Sequence, residues 1–182
     1  MQAQEIEMYL AQLGQELQDL GVQHPVRILL VGGAFMLLQV QNRRATDDID
    51  VLLIDIEDAT TSPLYPTFRA AVRAVTTRNR LNSSWLNDVI GDFLRDASNV
   101  PEGTLWHRYG KLEVFLPPKE YILALKLLAG RTKDMPDIKA LCQQVNIQTR
   151  EQAQQLVDQY IPGKQLQQIN HLNDTLDQVF LA

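Results

Sequence analysis

Several things are scarce in this chain, and each scarcity narrows what it can be. One cysteine in 182 residues, Cys142, excludes an internal disulfide. The three histidines, His24, His107 and His171, show no His-x-x-x-His spacing, so a zinc site is not expected. No apolar run approaches the roughly 20 residues that a spanning helix needs. The opening "MQAQEIEMYL" is polar and acidic rather than basic and then apolar, so no secretory leader is expected and a cytoplasmic location is. Positive charge is short as well: 17 Lys and Arg face 22 Asp and Glu, for a net charge of −5. That disfavours general coating of nucleic acid, which depends on a basic excess. Locally the arginines of "NRRATDD" and "RAAVRAVTTRNR" keep a polyanion groove open. No Gly-x-Ser-x-Gly elbow is present, so a serine hydrolase of that type is not supported.

What is present is patterned. Ile6, Leu10, Leu13, Leu17 and Leu20 recur in steps of four and three, which predicts one helix over residues 3 to 20. "VRILLV" reads as a buried strand, Gly32 and Gly33 break it, and "AFMLLQVQ" reads as a helix. "IDVLLIDI" predicts a second strand, and Phe68, Ala71, Val72 and Val75 mark a helix over "SPLYPTFRAAVRAVTTRN". Residues 81 to 101 predict a loop with one short helix at about 86 to 96. "TLWHRY" and "KLEVFL", around Gly110, predict a hairpin. "PPKEYILALKLLAGR" and "KDMPDIKALCQQV" predict two helices, the first with prolines in its first turn. Helices at about 149–160 and 164–180 follow, separated by Pro162-Gly163. The expectation is an α+β domain, a mixed sheet flanked by helices. It is one domain over 1–182, with a sheet-containing core to about 117 and a helical part from about 118.

The stretch "LLVGGAFMLLQVQNRRATDDIDVLL" concentrates the chemistry. Two glycines after a strand let the backbone approach a ligand, though most such pairs only turn the chain. Asp48 and Asp50 flank Ile49, and residues two apart on a strand share a face. Two carboxylates that close repel unless a cation compensates, and a divalent ion with oxygen ligands does so. The plain alternative is a solvated strand end.

Buried strand, Gly-Gly, helix, and then a strand opening with Asp-x-Asp together resemble the nucleotidyltransferase superfamily, the DNA polymerase β-like fold. Fourteen residues separate Gly33 from Asp48, and Gly33 stands where many members carry serine. The resemblance implies a nucleotidyltransferase-type mixed sheet in which Gly32 and Gly33 bind a nucleoside triphosphate. Asp48 and Asp50 would then be metal ligands and catalytic residues, holding Mg²⁺ (or Mn²⁺).

Lys126 poses a second question, because it lies inside the otherwise apolar "YILALKLLAGR". A buried lysine needs an anion, either a carboxylate of the protein or a phosphate of a ligand, unless its stem carries it to the surface. "LALKLLAGRTKDMPDIKAL" resembles the abortive-infection toxin nucleotidyltransferases of bacteria and their small relatives. In these a Lys-x-x-Ala-x-Arg helix leads to a basic-Asp-x-x-Asp segment. Lys126, Ala129, Arg131, Lys133-Asp134 and Asp137 take those places. The resemblance implies Lys126 as a triphosphate ligand and Asp137 as catalytic or orienting. "WLND" at 85–88 is similar to a segment of the small relatives, with Asn87 placed for the nucleotide.

A third carboxylate is open between Glu113, on the strand "KLEVFL", and Asp137 or Asp134. Arg43 and Arg44 precede the acidic strand and could meet phosphate or acceptor, Arg44 being included with the nucleotide-binding set, or could form a solvated loop. Trp85, Trp106 and Cys142 read as packing residues. The expected activity is transfer of a nucleoside monophosphate from a nucleoside triphosphate to a hydroxyl of RNA, protein or a small molecule. A toxin role would add an antitoxin partner. A nucleotide-binding or interaction module without turnover is the alternative.

Overall fold

The computed structural model describes residues 1–181 and resolves them into two compact units. The first comprises Met1–Asp92 and Glu102–Leu116; the second comprises Phe93–Pro101 and Pro117 onward. The class is α+β, with a five-stranded mixed sheet. Among the described residues no helix is long and apolar enough to cross a membrane.

The first unit is built on alternation. Helix α1 (Ala3–Asp19) buries Ile6, Tyr9, Leu10, Leu13 and Leu17, the face its spacing predicted. Strand β1 (Val26–Val31) sends Val26, Ile28 and Leu30 into the same cluster. Helix α3 (Tyr65–Asn79) adds Phe68, Ala71, Val72 and Val75. Between them lie α2 (Gly32–Phe35), a π-helical turn (Met36–Val40) and β2 (Ile49–Leu53). The sheet continues with β3 (Leu86–Asn87), β4 (Thr104–Tyr109) and β5 (Leu112–Leu116), in the order β3-β2-β1-β5-β4. β2 runs antiparallel to β1, whereas β5 runs parallel to it and β3 parallel to β2.

Two expectations need correction here. The second strand ends at Leu53, not Ile56, because Asp55 turns back to accept from the Arg27 backbone N–H at 2.9 Å and its Nε at 2.9 Å. The short helix predicted at about 86–96 is present but starts later, as α4 (Ile90–Ala97), inside which the division between the units falls, and the short strand β3 precedes it. The β3 pairing is backbone chemistry that side-chain periodicity does not reveal.

The second unit is helical. Central to it is α5 (Lys119–Ala129), which buries Tyr121 to Ala124 and Lys126 to Leu128 and ends at Gly130. A 3₁₀ turn (Thr132–Asp134) leads to α6 (Met135–Gln144). Helix α7 (Arg150–Tyr160) begins with a reciprocal cap: the Gln152 N–H donates to Thr149 Oγ1 at 3.2 Å, and the Thr149 N–H to Gln152 Oε1 at 3.1 Å. The helix expected over 164–180 is broken into α8 (Lys164–Ile169) and α9 (Leu172–Phe180) by His171, whose φ is +52°. Phe93–Pro101 belongs to this unit: Ser98 Oγ and Tyr121 OH are hydrogen-bonded at 2.8 Å, and the Asn99 N–H donates to the Tyr160 carbonyl at 2.7 Å.

Candidate functional site

The glycine turn and the acidic strand meet at one corner of the first unit. Antiparallel pairing sets Asp50 opposite Val31, the residue just before Gly32. Gly32 has φ +65°, and a Cβ there would lie 2.2 Å from Asp50 Oδ2. Any side chain at Gly32 would therefore occupy the place of the carboxylate, besides being strained in the left-handed region. A Cβ on Gly33 would lie 2.4 Å from Thr46 Oγ1 and 3.0 Å from Arg43 Nη1. Both glycines are thus needed for close approach to the segment that carries the acids.

That segment is held from several sides. Thr46, 7 % exposed, donates through Oγ1 to the Asp48 carbonyl at 3.1 Å. The Ile49 N–H donates to the Trp85 carbonyl at 2.8 Å, and the Ile49 side chain is fully buried. Asp48 and Asp50 are half-buried. On the other side of β2, Asn87 pairs with Asp50 in register and donates from Nδ2 to Asp50 Oδ1 at 2.8 Å. Asp88 accepts from Arg69 Nη1 at 2.8 Å. Burial, and then the neighbouring Asp88 carboxylate, push the Tyr65 phenol above its ordinary value.

The structure therefore gathers Gly32, Gly33, Asp50 and Asn87, with Asp48 two positions from Asp50. It adds Thr46, which the sequence reading did not name, and Arg43, which that reading left between a phosphate contact and a solvated loop. Arg44, which it did, is exposed. The available signal was the unbroken run "RRATDDID", in which a buried threonine precedes the first acid of the motif by two residues.

Glu113 lies elsewhere. It is level with Arg27 on β1, whereas Asp50 is level with Val31, so about 13 Å of strand separates the two. Its carboxylate accepts from Arg108 Nε at 2.9 Å. The expectation that Glu113 shares a metal with Asp48 and Asp50 fails on that register.

Lys126 has its anions within the second unit. It is 5 % exposed, with Nζ at 2.8 Å from Asp134 Oδ1 and 2.7 Å from Asp137 Oδ2. Arg131 Nε adds a contact to Asp134 Oδ2 at 2.6 Å. Burial alone would push the Asp134 carboxyl up; the hydrogen bonds and charges of Lys126 and Arg131 outweigh it and hold the group below the usual carboxylate value. Of the two kinds of anion that a buried lysine accepts, the protein supplies its own carboxylates. The motif expected to grip a triphosphate through Lys126, with Asp137 beside it, forms an ion cluster inside a helical core.

The remaining candidates pack. Trp85 is buried, donates from Nε1 to Thr76 Oγ1 at 2.9 Å and meets the Tyr9 ring edge-on at 5.8 Å. Trp106 packs half-buried against the core. Burial pushes the Cys142 thiol up to about 11, which leaves it unreactive. Among the described residues no three His, Cys, Asp or Glu side chains converge as a metal cage. A cation at the glycine corner would be held by the two carboxylates of Asp48 and Asp50, a set that suits Mg²⁺ when phosphate and water complete its shell. No family model, no curated protein and no solved structure matches the chain.

Proposed function

We propose that the chain is a metal-dependent nucleotidyltransferase that works at the Gly32-Gly33 and Asp48-x-Asp50 corner of the first unit. The observation that carries this reading is the contact between Gly32 and Asp50: the glycine turn is shaped around the carboxylate, with 2.2 Å from a would-be Cβ to Oδ2. The order strand, glycine turn, helix and acidic strand supports a nucleotidyltransferase-type sheet.

Asp48 and Asp50 would hold Mg²⁺ or Mn²⁺, which supplies positive charge against a polyphosphate. Gly32 and Gly33 let the turn close on Asp50 and Thr46, and Arg43, beside Gly33, places a guanidinium at the same turn. An acceptor hydroxyl on RNA, protein or a small molecule attacks the α-phosphorus; one P–O bond forms, the hydroxyl proton passes to solvent and the bond to pyrophosphate breaks. Lys126 has no part in this scheme, since it is enclosed by Asp134 and Asp137.

A second reading, a nucleotide-binding module without turnover, is favoured by the fate of the other acids. Asp137 is joined to Lys126 and Glu113 to Arg108, so neither serves as a third carboxylate. The test is incubation with each α-labelled nucleoside triphosphate, Mg²⁺, total RNA and lysate, comparing wild type with Asp50→Ala. Label transferred by wild type alone supports the enzyme. Triphosphate binding that depends on Asp50 without transfer supports the module, and no binding sinks both.

A further inference from the structure

The structure assigns Asn87, in the "WLND" segment, as the positioning residue of the Asp50 carboxylate, the side chain that fixes how the acidic corner faces a divalent cation. This rests on the metal reading above. The parallel β2–β3 pairing puts Asn87 level with Asp50, so the backbone sets their approach. Asn87 Oδ1 accepts from the Val89 N–H at 3.3 Å, which turns the amide nitrogen towards Asp50. Nδ2 then donates to Asp50 Oδ1 at 2.8 Å, while Oδ2 lies against Gly32.

The residue type matters. A lysine or arginine at this place would cancel the charge of Asp50, and an aspartate would repel it. An asparagine of the same size as aspartate donates a hydrogen bond and adds no charge of its own. The neighbouring Asp88 is joined to Arg69, so the two adjacent polar side chains of "WLND" have separate partners. Residues that orient a metal-binding carboxylate commonly govern affinity without touching the ion.

The experiment uses the full chain, ¹⁵N-labelled, with Mn²⁺ alone as the probe. The side-chain amide signal of Asn87 is identified by its loss in Asn87→Asp, and Mn²⁺ affinity is read by electron paramagnetic resonance. Asp50→Ala is expected to displace the Asn87 amide signal. Asn87→Ala is expected to weaken Mn²⁺ binding about tenfold. Asn87→Asp keeps the shape of the side chain and is expected to tighten binding, because it adds a third carboxylate.

An Asn87 amide signal unchanged in Asp50→Ala overturns the inference whatever the metal does. So does weaker Mn²⁺ binding in Asp50→Ala with wild-type affinity in both Asn87 variants, a result that spares the metal reading. Wild-type Mn²⁺ affinity in Asp50→Ala sinks the metal reading instead, and the amide signal alone then decides whether Asn87 holds Asp50.

Discussion

The two units place carboxylates in contrasting company. In the second, Asp134 and Asp137 enclose Lys126, and all three are at most 5 % exposed. In the first, Asp48 and Asp50 stay half-buried, and Asp50 meets a neutral amide and a glycine. A cation inside a core neutralises its acids and ties helices together; an amide at a strand edge sets how an acid is oriented. Similar letters, two aspartates a short step apart, therefore serve architecture in the second unit and, on the proposed reading, chemistry in the first. Neighbours decide which.

The sharpest way to break this contrast is Lys126→Met, which removes the buried ammonium between two buried carboxylates while Asp134 keeps its contact with Arg131. A loss of about 3–5 kcal/mol is expected in urea denaturation; a loss below about 1 kcal/mol would mean that the cluster is not a structural lock. Next comes Gly32→Ala, which combines left-handed strain with a side chain in the place of Asp50. It should destabilise by about 1–3 kcal/mol and abolish Mn²⁺ binding together with any nucleotide transfer. Unchanged Mn²⁺ affinity in a folded Gly32→Ala protein would dissolve the glycine corner as a site.

Acid sharpens the comparison further. Asp134 is held below its ordinary value, so its contribution to stability is complete above about pH 4 and is lost as pH falls through the depressed folded-state value. The wild-type denaturation midpoint should drop on acidification below about pH 4, and Asp134→Asn should flatten that limb. An identical acid limb in the variant would remove Asp134 from the acid response. The smallest effect is expected from Arg108→Ala, which takes an exposed guanidinium away from the half-buried Glu113. Stability should change by less than about 0.5 kcal/mol, with Mn²⁺ affinity unaltered. Lost Mn²⁺ binding there would restore Glu113 to the site.

The sequence disclosed what periodicity and punctuation encode. The leucine face of α1, the glycine break after β1 and the hairpin around Gly110 were all readable, because each depends on local spacing. Gly32, Gly33, Asp48 and Asp50 stood out for the same reason. The partner of Lys126 was not readable: a buried ammonium is satisfied equally by a ligand or by its own chain, and only side-chain packing distinguishes them. Strand β3 was missed because two residues carry no period; its place is set by pairing with β2. Glu113 was misassigned because facing direction can be read from alternation, whereas its position along the sheet depends on register with β1. The split of the last predicted helix lies in the backbone of His171, a residue with no strong breaking tendency.

The winding of the backbone between the two units bears on how the protein can be dissected. The second unit needs Phe93–Pro101 as well as everything from Pro117, and the hairpin of β4 and β5 intervenes. No single truncation yields both units whole. A fragment beginning at Pro117 lacks Ser98 for the Tyr121 hydroxyl and Asn99 for the Tyr160 carbonyl, while one ending at Leu116 carries those nine residues away from their packing. Genetic bisection at the obvious junction would thus damage the helical piece first, and a loss of activity after such a cut would say little about where the chemistry resides.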